Sequence, residues 1–311
     1  MSIVIQTTTN QLRTFAQHYP SNTTVPVGAI FRYKGSGVMV TGYKSGKVMF
    51  QGQNELAESQ KWASNALTTN SMQQTSLKRA KTNPVPSNLP DNLAQLGVLG
   101  SDEVGTGSYF GPLTVVAVYV APDQITTLQS LGIADSKTLT DANIASLAEK
   151  LINMLPYHIV NIMPTTYNQY NQTLNANEIK AHGHNRALSA VLAKIAPHMP
   201  DAILIDQFTP ANTYWRYLSK LNYVVKENVY FATKAEQLHV AVAAASIIAR
   251  YVELKSLQEL SAQAHCELPV GAGKNVDKIA AKLLHQGIDL RQYAKLHFAN
   301  TKKAYSIAEN N

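Results

Sequence analysis

From about residue 96 onward, short apolar runs of strand length alternate with segments of helix length, and this alternation restricts most of the chain to an α/β layer fold. Strands are expected at 97–103, 113–121, 157–163 and 202–206. Helices are expected at 141–155, 176–196 and 233–264, followed by two short ones at 275–286 and 290–298. The first two strands follow each other without an intervening helix, so the sheet is expected to be mixed rather than wholly parallel.

Residues 1–70 read differently. A strand at 3–5 and a helix at 10–19, with Asn10 as its cap and Leu12, Phe15 and Ala16 on one side, precede strands at 27–33, 38–43 and 48–50. The connections Lys34-Gly35-Ser36-Gly37 and Lys44-Ser45-Gly46-Lys47 have hairpin composition, so this part is an antiparallel meander. Asn54 is placed to cap a helix at 55–67. Residues 71–95 contain Pro84, Pro86 and Pro90 and the basic run Lys78-Arg79-Ala80-Lys81, and they read as a linker. The expected division is an N-terminal domain at 1–70, a linker at 71–95 and the main domain at 96–311.

Composition narrows the function classes. Hydrophobic residues make up 45% of the 311 and charged residues 15%, which is enough apolar side chain to fill a core and excludes a disordered chain. Cys266 is the sole cysteine, so internal disulfides and Cys-rich zinc sites are excluded and a reducing compartment fits. No apolar run approaches the roughly 18–20 residues that span a bilayer. Residues 1–19 lack the apolar stretch of a secretory signal. The expectation is a cytoplasmic chain with no membrane association and no obligate protein partner, a monomer by default.

The net charge of +7 is concentrated: nine Lys or Arg meet two acids in residues 1–90, whereas eighteen meet eighteen in the remainder. An excess confined to one domain suits a polyanion, because Lys and Arg on phosphates release condensed counterions. Lys44 and Lys47 stand on turns near Phe31, Tyr33 and Tyr43, so cations and flat rings are available together as candidate substrate contacts. Lysine protection of a sheet edge is the competing explanation.

Two apolar runs end in acids. Ser101-Asp102-Glu103 closes the run beginning at Leu96, and Asp206 closes Ala202-Ile203-Leu204-Ile205. Neighbouring strand residues point to opposite faces, so one of Asp102 and Glu103 is expected in an interior or a cleft. Ligands of open α/β sheets sit outside the carboxyl ends of strands. Glu236, in the first turn of the helix expected at 233–264, is a further acid. Four hard oxygen donors from separate segments suit Mg²⁺ or Mn²⁺, while capping and salt bridging account equally for isolated acids.

The run Asp102-Glu103-Val104-Gly105-Thr106-Gly107-Ser108-Tyr109-Phe110-Gly111-Pro112-Leu113 resembles the opening motif of the type 2 ribonucleases H, and its Tyr-Phe-Gly-Pro continuation is similar to the bacterial ribonuclease HIII branch. Further matches follow in family order at Ala134-Asp135-Ser136-Lys137, Ile205-Asp206-Gln207-Phe208, Thr233-Lys234-Ala235-Glu236, Ala243-Ala244-Ala245-Ser246-Ile247-Ile248-Ala249-Arg250 and His297-Phe298-Ala299-Asn300-Thr301. Tyr43 to Gly52 is similar to the same branch's N-terminal domain. The resemblance implies an RNase H-like mixed-sheet catalytic domain behind a small α+β domain like the TATA-box-binding protein. It also implies endonucleolytic cleavage of the RNA strand of an RNA/DNA hybrid, leaving 5′-phosphate ends.

By the same resemblance Asp102, Glu103, Asp206 and Glu236 fall on the four acidic positions. The family's two-metal scheme would have one ion activate a water and another stabilise the leaving 3′-oxygen. Asp102 would bridge the ions, Glu103 and Asp206 would complete their ligation, and Glu236 would serve the water side. Gly105, Thr106 and Gly107 would approach a ribose closely enough to read its 2′-hydroxyl, a tight turn being the structural alternative. Thr106 stands where relatives that cut at single embedded ribonucleotides have Arg, and Ser108 stands where the HIII branch commonly has Asp. A ribonuclease HII-like junction enzyme and a non-catalytic nucleic-acid-binding protein are the competing functions.

The remaining features read more plainly. Lys137 and Lys234 are candidates for phosphate contact or for surface pairing with the neighbouring acids. Ser246 reads as a small residue for close packing. His182 and His184 lack partner ligands at metal spacing. Gly271-Ala272-Gly273-Lys274 lacks the spacing of a phosphate loop and reads as a turn.

Overall fold

The computed structural model describes residues 2–62, 89–133 and 140–309. The chain divides into two compact units, Met1–Lys81 and Thr82–Asn311. The basic run at 78–81, Pro84 and Pro86, and the motif at 134–137 with Lys137 lie outside the described residues.

The first unit is a four-stranded antiparallel sheet in the order β1-β4-β3-β2, built from Ser2–Gln6 (β1), Ala29–Gly35 (β2), Val38–Tyr43 (β3) and Lys47–Gly52 (β4). Ser36 and Gly37 join β2 to β3 with φ of 50° and 73°, the paired left-handed backbone that a two-residue hairpin needs to match strand twist. Helices Thr9–His18 (α1) and Glu55–Gln60 (α2) belong to the same unit, and Leu12 and Phe15 of α1 pack against Val38, Val40, Val48 and Phe50. The α1 cap is Thr8 rather than Asn10: Thr8 Oγ1 accepts from Gln11 N–H, and Gln11 Oε1 accepts from Thr8 N–H. Asn54 precedes α2 without a capping hydrogen bond, since its amide donates to Ser36 O at 2.7 Å.

The second unit is a five-stranded sheet in the order β7-β6-β5-β8-β9, formed by Val98–Val104 (β5), Leu113–Val120 (β6), Tyr157–Ile162 (β7), Ala202–Asp206 (β8) and Val229–Ala232 (β9). β5, β6 and β7 pair antiparallel, while β5, β8 and β9 run parallel, so the sheet is mixed as expected. Every residue of β6 is buried, because helices cover both faces of the sheet. Its four valines each contribute roughly 1.5–3 kcal/mol on burial.

One face packs on Asp141–Met154 (α4, after Ile125–Ser130, α3) and Val240–Gln263 (α8). The other packs on Ala176–Ile195 (α6, after Pro164–Tyr170, α5) and Ala211–Leu218 (α7). A third cluster joins Tyr109 and Phe110 to the end of α8 and to Lys274–His285 (α9) and Ala299–Glu309 (α10).

Three expectations change. The long helix begins at Val240 rather than at 233, because Lys234 has φ of 57° and a separate 3₁₀ turn, Ala235–Gln237, follows it. The helix expected at 290–298 is one 3₁₀ turn, Leu290–Gln292, and helix resumes only at Ala299, since Ala294 bridges to Phe110 and Lys295 N–H donates to Tyr109 O. β9 and the short helices α3, α5 and α7 are additional elements.

Candidate active site

Alternation along β5 decides where its acids point. Val98 joins the core on the α8 side, and a Cβ on Gly100 would meet the backbone of Ala241 and Val242; Leu99 and Ser101 face α6. Asp102 therefore continues the α8 face and Glu103 the α6 face. The parallel register pairs Gly100 with Leu204 and Ser101 with Ile205, so Asp102 and Asp206 come next along two neighbouring strands, whose usual spacing is about 4.8 Å. Leu204 packs in the α8-side core, and alternation puts Asp206 on that face too. Both expected strand ends thus deliver an acid to one place.

The missing Cβ of Gly100 lets α8 lie close over β5, and Ser246 of α8 donates its hydroxyl to Asp102. Ser246 has this polar contact as well as the packing role its size suggests. Asp102 Oδ1 also accepts from Glu103 N–H at 2.7 Å. Burial, then Glu103, then Asp206 push the Asp102 carboxyl up to about 8. Asp206 is raised as well, by burial first and by Glu236 and Glu103, against a lowering hydrogen bond from Ala235 N–H at 2.8 Å. That bond fastens the 3₁₀ turn to the end of β8 and brings Glu236 into electrostatic range of Asp206.

Glu103 is handled from the other face. Its Oε1 accepts from Lys180 Nζ at 3.1 Å and its Oε2 lies 2.9 Å from His184 Nε2. Burial raises the Glu103 carboxyl, but His184 and then Lys180 outweigh it and leave it below the usual range. His184 Nδ1 in turn lies 2.6 Å from Ser101 Oγ, and its ring stacks on Phe208 with centroids 5.2 Å apart. Lys180 lies 4.2 Å over the same ring. The end of β8 and the segment just after it thus supply Asp206 and the aromatic wall behind the partners of Glu103.

Lys180 and His184 were not among the residues expected at the site. Their i, i+4 spacing puts them on one face of α6, which is the signal the sequence held.

Among the described residues no three of His, Cys, Asp or Glu form one ligand-distance cluster, and Glu103 is bonded toward α6 by Lys180 and His184. The donor set still fits a hard divalent cation. It consists of carboxylate oxygens without a thiolate, and the proximity that raises Asp102 and Asp206 is relieved by positive charge between them. Asp102, Asp206 and Glu103 could hold the ion, with Glu236 beside Asp206.

Gly105 closes β5 at φ 87°, and a Cβ there would strike Pro112 O, so its glycine is required by the turn. Thr106 and Gly107 are exposed, and the Cβ direction of Gly107 is open. Ser108 is buried away from the acids: its hydroxyl donates to Glu253 at 3.3 Å and accepts from Gly271 N–H at 3.2 Å.

The motif at 297–301, with Lys295 just before it, buttresses these loops. Lys295 Nζ is buried against the carbonyl oxygens of Phe110, Gly111 and Pro112 at 3.5, 2.6 and 3.3 Å, Asn300 donates to Ala272 O at 3.0 Å, and Thr301 Oγ1 lies 3.1 Å from Tyr109 OH. Burial lowers Lys295 to about 7. Gly271–Gly273 is a bend leading into α9, whose first residue is Lys274. Lys234 is exposed beside the site, and in the first unit Lys44 and Lys47 are exposed at the β3–β4 turn.

Comparison with known proteins gives consistent matches. The Ribonuclease HII family model matches residues 99–301, and a model described as a domain of unknown function, DUF3378, matches residues 2–75. The chain is 51% identical to Ribonuclease HIII of Leuconostoc mesenteroides over 98% of this chain and 99% of that one, and 48% identical to Ribonuclease HIII of Limosilactobacillus fermentum over 99% of each. The crystal structure of Bst-RNase HIII in complex with Mn²⁺ superposes with a TM-score of 0.70 at 39% identity, covering all of both chains.

Proposed function

Because this chain belongs to the type 2 ribonuclease H family, on its ribonuclease HIII branch, we propose that it cleaves the RNA strand of RNA/DNA hybrids endonucleolytically with Mg²⁺ or Mn²⁺, leaving 5′-phosphate ends. The observation that carries the reading is the placement of Asp102 and Asp206 side by side on neighbouring parallel strand ends, with Glu103 and Glu236 in electrostatic range. Divalent ions held there would activate water and stabilise charge at the leaving oxygen.

The chain's own groups have distinct tasks. Asp102 would give up its proton to solvent on becoming a ligand, and Asp206 would present one oxygen while Ala235 N–H holds the other. Glu103 would complete the ligation, and Glu236 would serve the water side. The exposed Thr106–Gly107 backbone meets the ribose, and the basic first unit, through Lys44 and Lys47, grips phosphates.

All four acids come from one chain, which supports action as a monomer. The single cysteine supports a cytoplasmic setting. Among the described residues no helix is long and apolar enough to cross a membrane.

The test is incubation of an end-labelled hybrid with Mg²⁺, Mn²⁺ or EDTA, using the wild type and Asp102→Asn. Metal-dependent cuts in the RNA strand that vanish in the variant are expected, with hybrid binding retained. Binding without cutting in either metal would leave a nucleic-acid-binding protein. Cutting at one embedded ribonucleotide as fast as in a long hybrid would place the enzyme with the HII-like junction enzymes.

A further inference from the structure

A cation already stands at the proposed metal site. The Lys180 side chain is 6% exposed, its ammonium bonds Glu103 Oε1, and it lies 4.2 Å over the face of Phe208. An ammonium so far out of water is costly unless it is paired, and Glu103 supplies the pair. Lys180 also lines a small opening beside Gly105 and Thr106, together with Tyr167 and Lys295. It therefore lies between an acid proposed to bind metal and the backbone proposed to meet the substrate sugar. His184, fully buried and fixed by Ser101 and Phe208, holds the other oxygen of Glu103.

We propose that Lys180 is a resident counter-ion for Glu103, occupying charge that a divalent ion would otherwise take and so setting ion affinity below what the carboxylates alone would give. When ion and hybrid bind, the ammonium turns on its flexible stem toward the phosphate that runs past Gly105 and Thr106. Lys180 is thus a positioning residue that makes ion and hybrid binding mutually favourable, because the phosphate gives it a second anion. The inference rests on the function proposed above.

The test is titration of the full chain with Mn²⁺ alone, without nucleic acid, by calorimetry. Removing a positive charge a few ångströms from the ion is expected to tighten Mn²⁺ binding roughly tenfold in Lys180→Met, while Lys180→Arg stays near wild type. Hybrid cleavage by Lys180→Met should lose kcat despite the tighter ion. A folded Lys180→Met that binds Mn²⁺ equally or more weakly overturns the counter-ion role, leaving the metal site standing. If that variant does not fold, the side-chain ¹⁵N resonance of Lys180 in wild type, assigned with Lys180→Arg, is followed on adding Mg²⁺. A shift supports the exchange, and an unmoved resonance at saturation rejects it. Failure of wild type to bind Mn²⁺ would remove the metal-site reading and this inference with it.

Discussion

Replacing Asp102 with Asn is expected to stabilise the metal-free protein while abolishing cleavage. The Asp102 carboxyl is held at about 8 in the fold, against 3.8 when free of it. A carboxyl raised by folding contributes stability that is fully present below its unfolded value and is lost as pH rises through its folded one. The metal-free fold therefore loses stability from about pH 4 to about pH 8. The four-unit difference sets a ceiling of about 5–6 kcal/mol at 1.36 kcal/mol per unit. Relaxation and residual hydration leave about 2–3 kcal/mol of it.

Asn keeps an oxygen for the Glu103 N–H bond and carries no charge. For a unit of this size each kcal/mol moves Tm by about 2–4 °C. Thermal unfolding in EDTA from pH 5 to pH 9 should show Asp102→Asn about 5–10 °C above wild type at pH 8.5, with the gap closing toward acid. Adding Mg²⁺ or Mn²⁺ should raise Tm of wild type and leave the variant nearly unmoved. A variant less stable than wild type at pH 8.5, or a difference independent of pH, would refute the placement of Asp102 among buried like charges.

Three further outcomes follow from other parts of the structure. Deleting residues 1–81 should weaken hybrid binding and flatten its dependence on salt, read as the slope of log Kd against log salt concentration; an unchanged slope removes the first unit from the phosphate contacts. Gly100→Ala drives a Cβ into the backbone of α8 and should cost about 3 kcal/mol in urea unfolding and lower cleavage by moving Ser246 off Asp102. His239 is buried, its Nδ1 accepts from Ala241 N–H at 3.1 Å, and burial lowers it to about 4. Its neutral form supports the fold above pH 6.5 and that support is lost toward pH 4, at most about 3 kcal/mol. His239→Asn should flatten the fall in Tm across that window.

What the sequence disclosed, and what it hid, have physical causes. The ends of β5 and β8 are legible because an apolar run stopping at an acid is a local signal, and the mixed α/β layering follows from strands that alternate with helices after an initial direct pair. Glu236 was placed on the wrong element because nothing in Thr233-Lys234-Ala235 announces the left-handed backbone at Lys234 that holds the long helix back to Val240. The segment 290–298 has helical composition, yet its backbone is spent on Tyr109 and Phe110, a contact about 185 residues away that no local pattern contains. The sequence gives His184 no ligating partners at metal spacing. Its actual partners, Ser101 and Glu103, lie 83 and 81 residues earlier and become visible only once β5 lies against α6.

Alternation along β5 also explains how a sheet tolerates so many acids at one end. With Asp102 and Glu103 on opposite faces, each is compensated from its own side: Asp102 by Ser246 and by retaining its proton, Glu103 by Lys180 and His184. Had both acids faced α8 with Asp206, three carboxylates would share one low-dielectric space without a cation, at a cost that the fold would have to meet whenever metal is absent. The split instead leaves Glu103 as the ionised partner and Asp102 as the one that must lose a proton on ion binding. Proton release on adding Mg²⁺ to wild type should therefore be close to one per chain near pH 7 and fall toward zero by pH 9, measurable by calorimetry in buffers of different ionisation enthalpy. Release unchanged between pH 7 and pH 9 would place the proton elsewhere and break the assignment of the two faces.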